Sequence, residues 1–534
     1  MGGLLVFLIF LGIRAASVLL VQTFFVPDEY WQSLEVAHRL VFGYGYLSWE
    51  WVQGIRSYVY PAVFAGVYKG LAYFNLDSVE ALVLLPRVLQ ATLSAYSDYR
   101  LFVWAGKTKW AIFLLALPYF WFFTASRTLV NTLETALTAI ALSFFPWKGE
   151  GTAFLWIAAL CSYIRPTSAV IWPVLCFYHL KKTKLSVVGL LLKRYLLIGT
   201  IVIGLCIAVD SYFYGKITIS PWEFLKFNVL ENVGTHYGTH PWYWYCSVGL
   251  PLLLGVNLFP FIVGTYETLR FREVFPVRLV LLATMAVYLV VLSCLPHKEF
   301  RFILILMPMV SYICSDSISR WSRKASSLKL WLVAALLLFG NIVPGWYLST
   351  VHQRGTLAVM EKLAKTAKDY RGSNGERAFF LFVMPCHSTP YYSHIHENIT
   401  MQFLHCEPNL RKTTYYIDEA DLFYQDPTEW MHRYYSVWTK TGKVPSHIIT
   451  FNNLEEELSY YLKPYERVLE LTHTEYPSER VGRSVVVFEV RPPPSKSAQT
   501  TKSEYPSLDD FVEGSAKDPK AVPEDFYQED DYDL

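Results

Sequence analysis

The sequence predicts an α-helical polytopic membrane protein of about eleven spans, with a small α/β domain towards its C-terminal end. Three observations carry that expectation. The composition is 53% hydrophobic and 17% aromatic with only 17% charged residues, the balance of a chain solvated largely by lipid. Long apolar runs recur from residue 4 to residue 348. After residue 349 the pattern changes to short strand-like and helix-like segments rich in polar residues.

Residues 4–21 are apolar apart from Arg14, and no small-residue cleavage site follows, so they read as a retained signal anchor. Further apolar runs occupy 58–74, 79–104, 111–126, 131–146, 152–164, 168–180, 195–212, 246–268, 279–296, 301–318 and 328–348. Several fall short of the roughly 20 residues a straight span needs, so some are expected to pair, tilt or re-enter. Basic loops at 107–109, 181–194, 270–278 and 320–329 are assigned to the cytosol. The loop 213–245, the turn around His297 and everything after 349 then face the other side, as does the first loop 22–57 if the amino terminus is cytosolic. That parity leaves 58–104 without room for two crossings. Either 58–74 dips in and returns, or one basic loop lies on the opposite face.

The membrane module is thus 1–349. Residues 350–490 read as a non-cytosolic α/β domain, with a helix at 357–370 and strands at 379–383, 447–451, 468–472 and 484–490. Asn398-Ile399-Thr400 is an acceptor for N-glycosylation if that side is the endoplasmic reticulum lumen. From 491 to 534 the chain is proline-rich and then acidic, which predicts disorder. Of eight cysteines, Cys386 and Cys406 lie in this soluble portion and would suit a disulfide in an oxidising compartment. The net charge of +2 and the absence of a basic groove-reading pattern give no argument for nucleic acid.

Chemistry concentrates first in Phe25-Val26-Pro27-Asp28-Glu29-Tyr30-Trp31-Gln32, directly after the first apolar run. Pro27 fits the first helical position, and Asp28 and Glu29 then fall in the first turn, where the helix dipole favours negative charge. A helical period places Asp28, Gln32 and Glu35 on one face with Trp31 and His38 beside them, and Tyr30, Leu34, Ala37 and Val41 on another. This predicts a helix along the membrane surface; an interfacial anchor with solvated charges explains the stretch equally well. The other polar exceptions fall on the same predicted face: Glu50 and Arg56; Arg127, Asn131 and Glu134; Arg165; His236 and His240; and His297, Lys298, Glu299 and Arg301. Each also has a structural reading. Arg127 and Glu134 stand two helical turns apart, the spacing of an ion pair. Arg165 before Pro166 suits a loop, and His236 and His240 lie among Tyr237, Trp242, Tyr243, Trp244 and Tyr245, an aromatic belt.

One acidic pair opposed by many cations suits a carboxylate that removes a proton while cations stabilise a departing phosphate. No Gly-x-Ser-x-Gly, GxxxxGK[ST], HExxH or CxxC pattern occurs. Cys386, His387, His394, His396, His405 and Cys406 fit no standard zinc spacing, and no metal is expected.

The first-loop stretch resembles the His-Pro-Asp-Glu signature of the dolichyl-phosphate-mannose-dependent α-mannosyltransferases of GT-C type, with Val26 where histidine is usual. Ser126-Arg127-Thr128 with Asn131 and Glu134, Arg165-Pro166-Thr167, Tyr237-Gly238-Thr239-His240-Pro241-Trp242 and His297-Lys298-Glu299-Phe300-Arg301-Phe302 are similar to the same family in the same order. Tyr44-Gly45-Tyr46-Leu47-Ser48-Trp49-Glu50-Trp51 and Met384-Pro385-Cys386-His387-Ser388-Thr389-Pro390 look most like its members that build the glycosylphosphatidylinositol (GPI) precursor. The resemblance implies transfer of a third, α1,2-linked mannose to that lipid from dolichyl-phosphate mannose, with inversion, at the lumenal face of the endoplasmic reticulum membrane and without a cofactor. Asp28 is then the expected base, with Glu29 orienting it or binding the acceptor. Arg165, Arg301, His297 and Arg127 would hold the donor phosphate. Trp31, Gln32, Glu50, Arg56, His236, Tyr237, His240, Trp242 and Lys298 would line the substrates. The rival readings are a sister mannosyltransferase of the dolichol-linked N-glycan precursor and, more remotely, a lipid or solute transporter. No protein partner is legible.

Overall fold

The structure is a computed structural model that describes residues 2–372 and 375–491. The acidic stretch from 492 onwards, expected to be disordered, lies outside the described residues. The chain divides into two compact units, one ending at Thr350 and one beginning at Val351.

In the first unit, six helices among the described residues are long and apolar enough to cross a membrane. They are Gly3–Leu20, Val187–Tyr214, Tyr245–Arg270, Pro276–Ser293, Phe300–Ser322 and one beginning at Ser327. Val130–Phe144 and Ala153–Ile164 are shorter apolar helices. Twelve apolar runs underlie the reading of about eleven spans, and proline shapes how some of them fold. Pro118 divides 111–126 into Lys109–Ala116 and Tyr119–Thr124. Pro166 opens a 3₁₀ turn, Pro166–Ile171, before Trp172–Lys182. The run at 58–74 is one helix, Val59–Tyr73, of 15 residues. At 1.5 Å per residue it is about 22 Å long, so the chain does not turn back within it, though it falls short of a full span of about 30 Å.

The helix Val79–Trp104 packs against Gly3–Leu20 on one side and Val130–Phe144 on another. Arg14 and Asp98 face each other across the first contact, Nε to Oδ2 at 2.7 Å, both buried. Trp121 Nε1 donates to the other Asp98 oxygen at 2.9 Å. Two such charges survive burial only because each is paired and hydrogen-bonded.

The first loop does not lie open on a surface. A π-turn, Tyr30–Leu34, leads into the helix Glu35–Phe42, and every residue from 29 to 38 is buried. Glu35 and His38, placed by the sequence on a helix along the membrane surface, are 1% and 0% exposed. Trp51 Nε1 donates to the Trp31 carbonyl at 3.2 Å, so a second turn of the same loop covers the first.

The second unit holds a five-stranded sheet in the order β2-β1-β3-β5-β4. The strands are β1 (Phe379–Val383), β2 (Thr400–Phe403), β3 (His447–Phe451), β4 (Tyr465–Thr472) and β5 (Ser484–Val490). β1 runs parallel to β2 and β3, and β5 runs antiparallel to β3 and β4. β1 and β3 are buried at every position, which is why they read as continuous apolar runs rather than alternations. β4 is an edge strand whose outward Glu466, Arg467 and Glu470 discourage further pairing. The helix expected at 357–370 is Gly355–Asp369. β2 was not expected; its four residues are too few to show a period. Asn398 is exposed just before it. Cys386 and Cys406 are joined as a disulfide. His387 approaches the same two sulfurs, but oxidised cysteines are not metal ligands.

Candidate active site

The Pro27 carbonyl accepts the N–H groups of Tyr30 at 2.9 Å and Trp31 at 3.1 Å, and helical geometry begins at Asp28. Adjacent residues on a helix diverge by about 100°, so two neighbouring carboxylates there cannot serve one partner. Glu29 turns inward. Its Oε2 meets Arg127 Nη1 at 2.7 Å, with the side chains 2% and 1% exposed. Arg127 is held in turn by the Phe123 carbonyl (3.0 Å), the Thr23 hydroxyl (3.2 Å) and the face of Phe123. The Glu29 carbonyl accepts from the hydroxyls of Thr128 at 3.1 Å and Ser33 at 2.5 Å.

Asp28 turns the other way and is partly open, with 18% of its side chain exposed. Its Oδ2 contacts Arg301 Nη1. Arg301 Nη2 reaches Glu299 Oε1 at 2.5 Å, and the same oxygen accepts from His297 Nε2 at 3.1 Å. His297 Nδ1 lies 3.0 Å from the Gly238 carbonyl. Both partners of this ring accept, which favours the doubly protonated imidazolium. Burial works against that charge, but the Glu299 carboxylate and the Gly238 carbonyl outweigh it and hold His297 above its ordinary pKa. Burial likewise opposes the Glu299 anion, and Arg301 with His297 nevertheless draws it down to about 2. Asp28, Glu299, Arg301 and His297 therefore form a row of two anions and two cations.

Arg165 sits beside this row. Its Nε is 2.9 Å from Glu134 Oε2, and its guanidinium lies 5.2 Å from the centre of the Phe302 ring. Arg301 lies 5.4 Å from the same ring. The pairing of Arg127 with Glu134 suggested by spacing does not form. Leu129 is extended and the helix starts at Val130, so Arg127 stands outside the helix that carries Glu134. The partners are exchanged: Arg127 with Glu29, Glu134 with Arg165.

A third cluster lies along the first loop. Gln32 Nε2 donates to Glu50 Oε2 at 2.9 Å, and Arg56 donates to Glu50 Oε1 through Nε at 3.1 Å and Nη2 at 2.5 Å. Burial pulls the Arg56 pKa down, but Glu50 and, beyond it, Asp28 raise it above its usual value, which places Arg56 in the field of the open carboxylate.

The remaining sequence candidates are distributed differently. Trp31 is buried as packing. Lys298 is buried and donates to the carbonyls of His240 at 3.0 Å and Leu295 at 2.5 Å, so it ties two loops together. His240 stacks on Trp244 with ring centres 4.8 Å apart. The Tyr237 hydroxyl accepts from Trp49 Nε1 at 2.8 Å, while His236 and Trp242 are exposed at the rim. Sequence reading missed the bridging role of Glu299 and gave no role to Asp98 or Asp210. Both lie in apolar runs, and Asp210 is the one charged residue of its run, which was the available signal.

A family model described as the Alg9-like mannosyltransferase family matches residues 5–396. The chain belongs to that family. Among curated relatives, GPI mannosyltransferase 3 of Drosophila melanogaster is 56% identical over 470 residues, covering 88% of this chain and 84% of its own length. GPI alpha-1,2-mannosyltransferase 3 of Homo sapiens is 41% identical over 494 residues, covering 90% and 86%. Among solved structures, ArnT from Cupriavidus metallidurans, crystallised with undecaprenyl phosphate, superposes with a TM-score of 0.52 at 12% identity over 92% of this chain and 99% of that one. At that identity the likeness concerns the fold alone, a GT-C type membrane architecture. This Alg9-like mannosyltransferase is thus a polytopic enzyme whose polar residues gather where its first loop meets the 297–301 turn.

Proposed function

We propose that this mannosyltransferase moves mannose from dolichyl-phosphate mannose to the 2-hydroxyl of a dimannosyl GPI precursor, adding the third, α1,2-linked mannose with inversion. The relatives' names support the acceptor. The observation that carries the mechanism is the divergence of the two carboxylates: only Asp28 is open, and it adjoins Arg301, with Arg56 in its field. Asp28 takes the acceptor proton as the oxygen attacks the anomeric carbon. The bond from that carbon to the phosphate oxygen breaks, and its electron pair leaves on the lipid phosphate. Arg301 and His297, with Arg165 across Phe302, receive that charge. Glu50, Arg56 and Gln32 meet the acceptor. Aligning hydroxyl and mannosyl phosphate supplies up to roughly 7–11 kcal/mol of barrier reduction.

The test is to supply dolichyl-phosphate mannose with two acceptors, the dimannosyl GPI precursor and a dolichol-linked glycan, each with and without EDTA. Transfer to the GPI precursor, undiminished by EDTA, is expected. Transfer only to the dolichol-linked glycan would assign the enzyme to N-glycan precursor assembly. Loss in EDTA restored by Mn²⁺ or Mg²⁺ would place an ion at the carboxylates.

The proposed orientation puts this site and the second unit in the endoplasmic reticulum lumen. Asn398 should then carry a glycan, and glycosidase treatment of microsomal protein should increase its gel mobility. An unshifted band together with protease digestion of the second unit in sealed microsomes would reverse the orientation.

A further inference from the structure

Asp210 is a carboxylate without exposure near the end of the helix Leu197–Tyr214. Among the described residues no cation pairs with it. Instead four neutral donors fill its two oxygens. Oδ1 accepts the Ser57 hydroxyl at 2.9 Å and the Tyr58 N–H at 2.8 Å. Oδ2 accepts the Tyr163 hydroxyl at 2.8 Å and the Ser220 hydroxyl at 2.7 Å. A buried carboxylate answered only by neutral groups is a costly way to join helices, since apolar side chains would do so without desolvating a charge. What this arrangement achieves, and apolar contact would not, is to fix the last residues of the first loop by direction.

Residues 57 and 58 directly follow Arg56. The Arg56 carbonyl accepts the Tyr214 hydroxyl at 2.7 Å and shares the Ser220 proton at 3.2 Å. The Arg56 side chain then holds Glu50, and Glu50 holds Gln32, one helical turn beyond Asp28. Asp210 thus stands at the root of an arm whose tip borders the open carboxylate.

We propose that Asp210 is a positioning residue for the acceptor, acting through Arg56 and Glu50; the inference rests on the reading above that this pair meets the acceptor sugar. Asp210→Asn replaces one accepting oxygen by an amide that faces donors, so the arm loses its fixed direction. In full-length enzyme, Asp210→Asn and the gentler Ser57→Ala should each raise the acceptor KM, by about five- to tenfold for the former. The donor KM should remain within about twofold. Glu50→Gln should raise the acceptor KM as well, and Asp210→Asn combined with Glu50→Gln should be no worse than the more severe single variant, because both break one path.

Effects that multiply in the double variant would show two independent roles and overturn the proposal. So would equal rises in both KM values, the mark of general loosening. Glu50→Gln raising the acceptor KM while Asp210→Asn and Ser57→Ala leave it unchanged would end this inference alone. Glu50→Gln without effect would end the acceptor role of Glu50 as well. If Asp210→Asn fails to accumulate, Ser57→Ala, alone and with Glu50→Gln, decides by the same pattern.

Discussion

Asp28→Asn should lower turnover by about 10²–10⁴, the usual worth of general-base assistance. Its abundance and its KM for the dimannosyl acceptor should change little. The side chain is 18% exposed, and its ion pair is with Arg301. Asparagine keeps the shape and an oxygen towards Arg301 but cannot take a proton at neutral pH. Arg301 retains Glu299 at 2.5 Å, so the neighbouring turn stays in place. Glu29→Gln is expected to alter turnover far less, since Glu29 points away from the row that contains Asp28. Folded Asp28→Asn protein that turns over within tenfold of the parent would place the base elsewhere.

The largest stability effect is expected at Arg127. Arg127→Met leaves the Glu29 carboxylate, 2% exposed, without its cation. Breaking one partner of a buried pair costs about 3–5 kcal/mol, a large share of the roughly 5–15 kcal/mol that keeps a protein folded. The variant should show reduced microsomal abundance and a lowered unfolding midpoint in detergent. Adding Glu29→Gln to it removes the orphaned charge and should restore some of the loss. An Arg127→Met protein as stable as its parent would show that the pair holds nothing together.

These expectations separate two neighbouring residues that the sequence presents as one acidic motif. The motif itself was legible, because Pro27-Asp28-Glu29 closes an apolar run where charge is expensive. Its division of labour was not. Which way each carboxylate points depends on the residue at which the helix begins, and the partners come from positions 98 and 273 residues away. The same limit explains the mistaken Arg127–Glu134 pair, since spacing predicts a contact only when both residues lie on one helix, and Leu129 is extended. In the second unit, β1, β3 and β5 announce themselves as apolar runs, whereas β2 has four residues with a glycosylation acceptor at its start. The membrane helices were legible as apolar stretches, but the break at Pro118 within 111–126 was not, because proline divides a run without making it less apolar.

The start of the first loop is fastened to the end of the membrane unit: Gln22 N donates to the Ser349 carbonyl at 2.8 Å and the Thr23 hydroxyl to the Leu348 carbonyl at 2.5 Å. Thr23 also holds Arg127, so one threonine joins the first, middle and last thirds of this unit. During synthesis these fastenings become available in sequence. At about 5–20 residues per second, the ribosome needs roughly 15–65 s after making Thr23 to reach Ser349. For that interval the emerging acidic loop has its own residues but not its frame. The frame of the first loop is therefore completed among the last events in the enzyme's biogenesis, although the loop itself is among the first stretches to be translated.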